Sequence, residues 1–122
     1  RQRQMCIRDR SAHTLYGIPI GQLVSRNIDE GAIFRMRTPA TDGMIMDERG
    51  YLYMGDLERS VIVYFLPGRT KIRVLAEGDG IRWPDSFAIY GGYLYFTDSR
   101  IPEAVGDISG MVFSVNKLKL PL

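Results

Sequence analysis

The stretch Asp42–Asp56, DGMIMDERGYLYMGD, returns as Asp85–Asp98, DSFAIYGGYLYFTD, one residue shorter. Asp42 aligns with Asp85, Gly50 with Gly92, Tyr51-Leu52-Tyr53 with Tyr93-Leu94-Tyr95, and Asp56 with Asp98. The offset is 43 residues at the first aspartate and 42 at the last. A third element recurs more loosely, as Leu15–Pro19, Val61–Phe65 and Met111–Val115. Repeats of this length signal a supersecondary unit used more than once.

The unit is built of strands. Met44-Ile45-Met46 is a short apolar run, and Asp47-Glu48-Arg49 is turn-like. Tyr51–Met54 is aromatic and apolar, as a pleated, half-buried surface prefers. Ser60–Leu66 is β-branched and aromatic and closes at Pro67-Gly68. Lys71–Leu75 alternates, with Lys71 and Arg73 facing out and Ile72 and Val74 facing in. Gly91-Gly92 reads as a hairpin turn, because no helix follows it. No segment carries an amphipathic helical stripe, and Gln22–Ile28 supplies one helical turn at most. Four short strands recurring every roughly 40–50 residues are the pattern of β-propeller blades. The expected fold is therefore all-β. A propeller closes with about 4–8 blades, and this chain holds about two and a half four-stranded antiparallel ones, so a propeller fragment is expected.

Composition bounds the rest. The chain has 122 residues, 45% hydrophobic and 25% charged, with a formal charge of +2 and one cysteine. A single cysteine excludes an internal disulfide, and no apolar run approaches the roughly 18 residues of a membrane span. Sixteen basic and fourteen acidic residues become twelve and thirteen once residues 1–10, RQRQMCIRDR, are set aside. Those residues hold four arginines, one aspartate and the only cysteine. The string resembles translated sequencing-adapter read-through, and it has neither the apolar stretch of a signal peptide nor any periodicity. Residues 1–10 are expected to be a disordered artefact, with the propeller blades in residues 11–122. The remainder is near neutral, so neither nucleic acid nor a membrane is an expected partner.

In a propeller the first strand of each blade lies nearest the central channel. Asp42 and Asp85 each precede such a strand, which places both at the channel mouth in adjacent blades. Carboxylates there suit a divalent cation or a polar ligand. Asp42-Gly43 is equally a turn pair. Asp85, in Trp83-Pro84-Asp85, has no following glycine and reads as a site residue. Asp56 and Asp98 read as turn caps, Trp83 as packing between blades, and the tyrosines at 51, 53, 93 and 95 as inter-sheet core. His13, the only histidine, sits beside the set-aside segment and supports no catalytic triad.

Several runs, taken in order, carry a resemblance: Thr41–Met44, Gly50–Glu58, Trp83–Phe87 and Gly92–Thr97, with Leu15–Pro19 before and Met111–Leu118 after. The set resembles the C-terminal third of the major royal jelly protein/yellow family. That resemblance implies the last part of a six-bladed β-propeller, with the remaining blades outside this chain, an extracellular location, and a small-molecule ligand at the channel mouth. A more distant likeness runs to the gluconolactonase/regucalcin superfamily. There one blade leads in with Asn-Asp-Gly, whose asparagine contacts substrate, and the next with Pro-Asn-Gly, whose asparagine binds the metal. Thr41 and Asp85 stand at those two positions here. The expected ligand-binding residues are thus Thr41, Asp42 and Asp85, with Asp85 also the expected metal ligand for calcium or zinc. Three functions follow in order: a small-molecule binding protein, a metal-dependent lactone hydrolase, and a non-catalytic interaction propeller.

Overall fold

The structure, a computed structural model, describes residues 4–121. These residues are all-β, in three antiparallel sheets of three or four strands. The chain divides into two compact units, one up to Ala40 and one from Thr41.

The first unit is a sheet of β1 (Gln4–Asp9), β2 (Thr14–Pro19) and β3 (Phe34–Arg37), in that order. A short helix, α1 (Ile20–Ser25), follows β2 directly and ends at Arg26, whose φ of 58° is left-handed. Residues 4–9 depart from the expected disorder: β1 pairs along its whole length with β2, from Gln4 opposite Pro19 to Asp9 opposite Thr14. Backbone pairing requires no side-chain pattern, which is why composition did not reveal it. Met5 and Ile7 remain 50% and 45% exposed, so this strand is held by its ladder rather than by burial. Residues 1–3 lie outside the described residues.

The second unit carries both copies of the repeat. The first copy opens a four-stranded meander of β4 (Met44–Met46), β5 (Leu52–Asp56), β6 (Val61–Phe65) and β7 (Arg73–Ala76). The second opens a three-stranded one of β8 (Pro84–Tyr90), β9 (Tyr93–Asp98) and β10 (Ser114–Lys119). Gly91 and Gly92, at φ 59° and 83°, form the two-residue β8–β9 turn; two positive φ values match the twist of the flanking strands. Two strand readings shift. Val74 is 41% exposed instead of buried. Ile62 pairs with Ala76 and Val63 with Val74, so Leu75 falls in a bulge and takes the inward place. Met111–Phe113 lies outside the last strand, which begins at Ser114.

The core forms where opposite faces of the two sheets meet. Tyr53 and Ile62, flanked by Ile45, Tyr51 and Tyr64, pack against Leu94 and Phe96, flanked by Phe87, Ile89 and Leu118. The Tyr53 and Tyr64 rings stack with centroids 5.9 Å apart. Strand periodicity explains the pairing: Tyr53 lies on one face of β5, whereas Leu94 and Phe96 lie on the opposite face of β9 in repeat register. Tyr93 and Tyr95, expected in this core, sit half-buried on the other face of β9. Leu94 is fully buried, so Leu94→Ala should cost about 2–5 kcal/mol in urea denaturation. Val115→Ala, at a site 74% exposed, should change stability by less than about 0.5 kcal/mol.

Candidate functional site

Antiparallel pairing brings the starts of β4 and β8 to the same end of their sheets as the ends of β5 and β9. Pro84 is opposite Asp98, and Met44 is opposite Met54. Both closing aspartates are buried there. The Asp56 carboxylate accepts from the Glu58 and Arg59 amides, each at 3.1 Å, and caps its turn as expected. Asp98 does more. One oxygen accepts from the Arg82 amide at 2.8 Å and the other from the Trp83 amide at 2.9 Å, fixing the chain before it enters β8.

That segment is held from several sides. The Ser60 hydroxyl donates to the Arg82 carbonyl at 3.2 Å, and the Ser99 amide to the Trp83 carbonyl at 3.2 Å. Pro84 lies against Gly55, where an added Cβ would stand 2.7 Å from the Pro84 ring. Gly43 crosses the Asp85 backbone so closely that a Cβ would overlap the Asp85 carbonyl. The two loops that lead into β4 and β8 therefore touch.

The three expected ligand residues fall into different roles. Thr41 is 1% exposed, and its hydroxyl donates to the Gly43 carbonyl at 2.8 Å, bracing the loop. Asp42 accepts a 2.7 Å hydrogen bond from the Trp83 indole Nε1, a latch across the two loops. Trp83 was expected to pack between blades; its indole donor to Asp42, 41 residues away, is what the sequence did not reveal. Asp85 is half-buried, and its carboxylate has no hydrogen-bond or ion-pair partner among the described residues. A dent of about 380 Å³ at this end is lined by Arg59, Ser60, Glu77, Asp79 and Arg82 among others, and not by Asp42 or Asp85.

Among the described residues no three His, Cys, Asp or Glu side chains stand together as a metal site. Asp85 provides one carboxylate at this end, while Asp42 is turned to the indole.

A second polar network lies at the opposite end, in the β4–β5 turn, where the sequence showed only a turn. Asp47 accepts from the Arg49 and Tyr51 amides at 2.9 and 3.0 Å, and from the Tyr53 hydroxyl at 2.9 Å. Arg49 pairs with Asp47 at 3.0 Å and also donates to the Pro121 carbonyl at 2.9 Å. Burial would raise the Asp47 pKa, but the bonds from Arg49, Tyr53 and Tyr51 outweigh it and hold the carboxyl below its ordinary range. Burial, reinforced by the Asp47 charge, pushes the Tyr53 phenol up to about 12.

No family model matches the sequence, and no curated protein does.

Two measurements test these networks. Trp83→Phe removes the indole donor and should cost about 1.5–3 kcal/mol, read as a lower urea midpoint; an unchanged midpoint would show the latch contributes nothing. The raised Tyr53 pKa means the folded state keeps its proton longer than the unfolded one. Its contribution is complete below pH 10 and is lost as pH rises toward 12. In absorbance titration the Tyr53 step at about 12 should move part of the way toward 10 in Asp47→Ala.

Proposed function

We propose that the two packed sheets are successive blades of a β-propeller, of the kind implied by the major royal jelly protein/yellow resemblance. On this reading the protein binds a small cationic molecule at the end where β4 and β8 begin, in an extracellular setting. Three features support the blade reading. The first two strands of each sheet begin 40 and 41 residues apart, close to the sequence offset of 42–43 residues. The sheets pack by opposite faces, as repeats arranged head to tail must. Their leading strands are neighbours, with β8 against β4 and β5.

The single observation that carries the binding reading is Asp85. Its carboxylate is the one expected site group without a hydrogen-bond or ion-pair partner among the described residues, and it sits on a segment held by Asp98, Gly43 and Gly55. A half-buried, unpaired anion on a rigid loop favours a cation, because pairing recovers part of the desolvation cost. Trp83 and Phe87 flank Asp85 in the chain and suit an aromatic amine. The lactone-hydrolase alternative requires a divalent ion to polarise the ring carbonyl, toward which Asp85 supplies one ligand among the described residues.

Phenylethylamine titrated calorimetrically into the 122-residue protein should bind, and Asp85→Asn should weaken it by at least about tenfold. The melting temperature should not change, because no protein partner is lost. Asp42→Ala should instead lower the melting temperature through loss of the Trp83 latch. No amine binding to the wild-type protein, or equal binding by Asp85→Asn, defeats the proposal.

A further inference from the structure

The far end of the four-stranded sheet holds a second candidate site, which the reading above does not use. There the chain leaves β6 and turns through Leu66-Pro67-Gly68-Arg69. The Arg69 amide bonds the Leu66 carbonyl at 3.0 Å, and Gly68 has a φ of 91°. Pro then Gly at the two central positions is the sequence a type II turn demands. The chain then runs into β7 as Arg69-Thr70-Lys71-Ile72-Arg73, with a cation at every second position. In extended backbone that spacing sets all three on one side.

The structure brings these cations together around a dent of about 240 Å³. Tyr51, Phe65 and Leu66 form its apolar side, and Arg69, Lys71 and Arg73 its charged side; no acidic residue lines it. Phe65 is buried, and Tyr51 is braced by the Tyr64 ring at 5.9 Å. The three cationic side chains have no hydrogen-bond or ion-pair partner among the described residues. Residues 66–76 contain these three cations and no Asp or Glu. This clustering is not a consequence of overall charge, because residues 11–122 carry thirteen acidic and twelve basic side chains.

We propose that this dent binds a small aromatic anion, a single ring bearing a carboxylate. Three like charges converging on one dent repel one another, and an anion among them relieves that repulsion. Arginine offers a carboxylate two parallel N–H donors, and lysine adds a point charge. The partly exposed Tyr51 and Leu66 side chains, backed by the buried Phe65 ring, give the ligand's own ring an apolar wall. The volume lies below the roughly 300–1,000 Å³ of pockets for drug-sized molecules, which limits the ligand to about one ring. Inorganic anions satisfy only the charged side and neutral aromatics only the apolar side, so the discriminating feature is both together.

The test is calorimetric titration of the 122-residue protein with benzoate, benzyl alcohol and inorganic sulfate. Benzoate should bind at least about tenfold more tightly than either of the others. The double variant Lys71→Glu, Arg73→Glu should weaken benzoate by more than about tenfold, whereas Lys71→Arg should retain it. Both positions are exposed, and circular dichroism checks that the variants fold. In the wild-type protein, benzoate should shift the amide resonances of residues 66–73 and leave those of Asp42 and Asp85 in place. Asp85→Asn should leave benzoate binding unchanged, which separates this site from the amine site. Sulfate binding as tightly as benzoate, unchanged affinity in the double-glutamate variant, or shifts confined to the Asp85 end would each overturn the proposal.

Discussion

The carboxylate of Asp98 is the fixed point of the larger unit. Its two oxygens hold two consecutive amides, Arg82 and Trp83, sixteen and fifteen residues back in the chain. A buried carboxylate in this position is costly unless both oxygens are satisfied, and here the chain itself satisfies them. Everything at the leading end follows from that clamp. It sets the direction in which Trp83 projects, and so whether the indole reaches Asp42. It also sets where Pro84 and Asp85 lie on the first sheet. There two glycines, Gly43 and Gly55, allow the backbone to approach within contact. Asp56, its counterpart in the repeat, caps its own turn at the matching corner of the first sheet.

The repeat and the strand periods were legible because they depend on side chains that alternate along the chain. Burial on alternate positions is what β9 shows, whereas β5 and β6 are buried along nearly their whole length and were legible from their aromatic and β-branched content. What escaped notice depends on the backbone or on distant partners. Strand β1 is held by a ladder that any sequence can form. The bulge that turned Val74 outward is a register shift, which leaves no mark in residue type. Asp47 looked like a turn residue and is one, yet it also gathers Arg49 and Tyr53 and, through Arg49, the Pro121 carbonyl 72 residues away. Asp42 stood between a turn role and a ligand role. The structure gives it neither of these alone, but a bond to an indole 41 residues on.

The core packing also explains why two copies of one motif use different residues. If each sheet presented the same face to its neighbour, the pair would be related by a two-fold axis and would close after two. Here the Tyr53 face of the first sheet meets the Leu94 and Phe96 face of the second. Such a contact is heterologous: each sheet has a giving and a receiving face, and the arrangement extends in one direction. The tyrosines at 93 and 95 lie on the face of the second sheet that corresponds to the Tyr53 face of the first. Their partial exposure, with Tyr90 at 79% and Val115 at 74%, follows from that polarity and not from a poorer sequence match.

Antiparallel topology further separates the chemistry of the two ends. A strand's start and its neighbour's finish share an end, so residues 41–43, 56, 82–86 and 98 gather at one and residues 47–51 and 65–73 at the other. The first end is rich in carboxylates, of which Asp42, Asp56 and Asp98 are committed to donors of the fold and Asp85 is not. At the second, Asp47 is committed and Arg69, Lys71 and Arg73 are not. Fold-stabilising groups are therefore recognisable by having their partners inside the chain. The groups left over carry opposite charge at opposite ends, and no rearrangement of side chains alone brings Asp85 to the three cations. A residue spent on the fold is a poor candidate for a ligand, because recruiting it would first expose a buried donor. By that criterion the two ends are independent, and the groups the fold leaves over at one end are opposite in charge to those at the other.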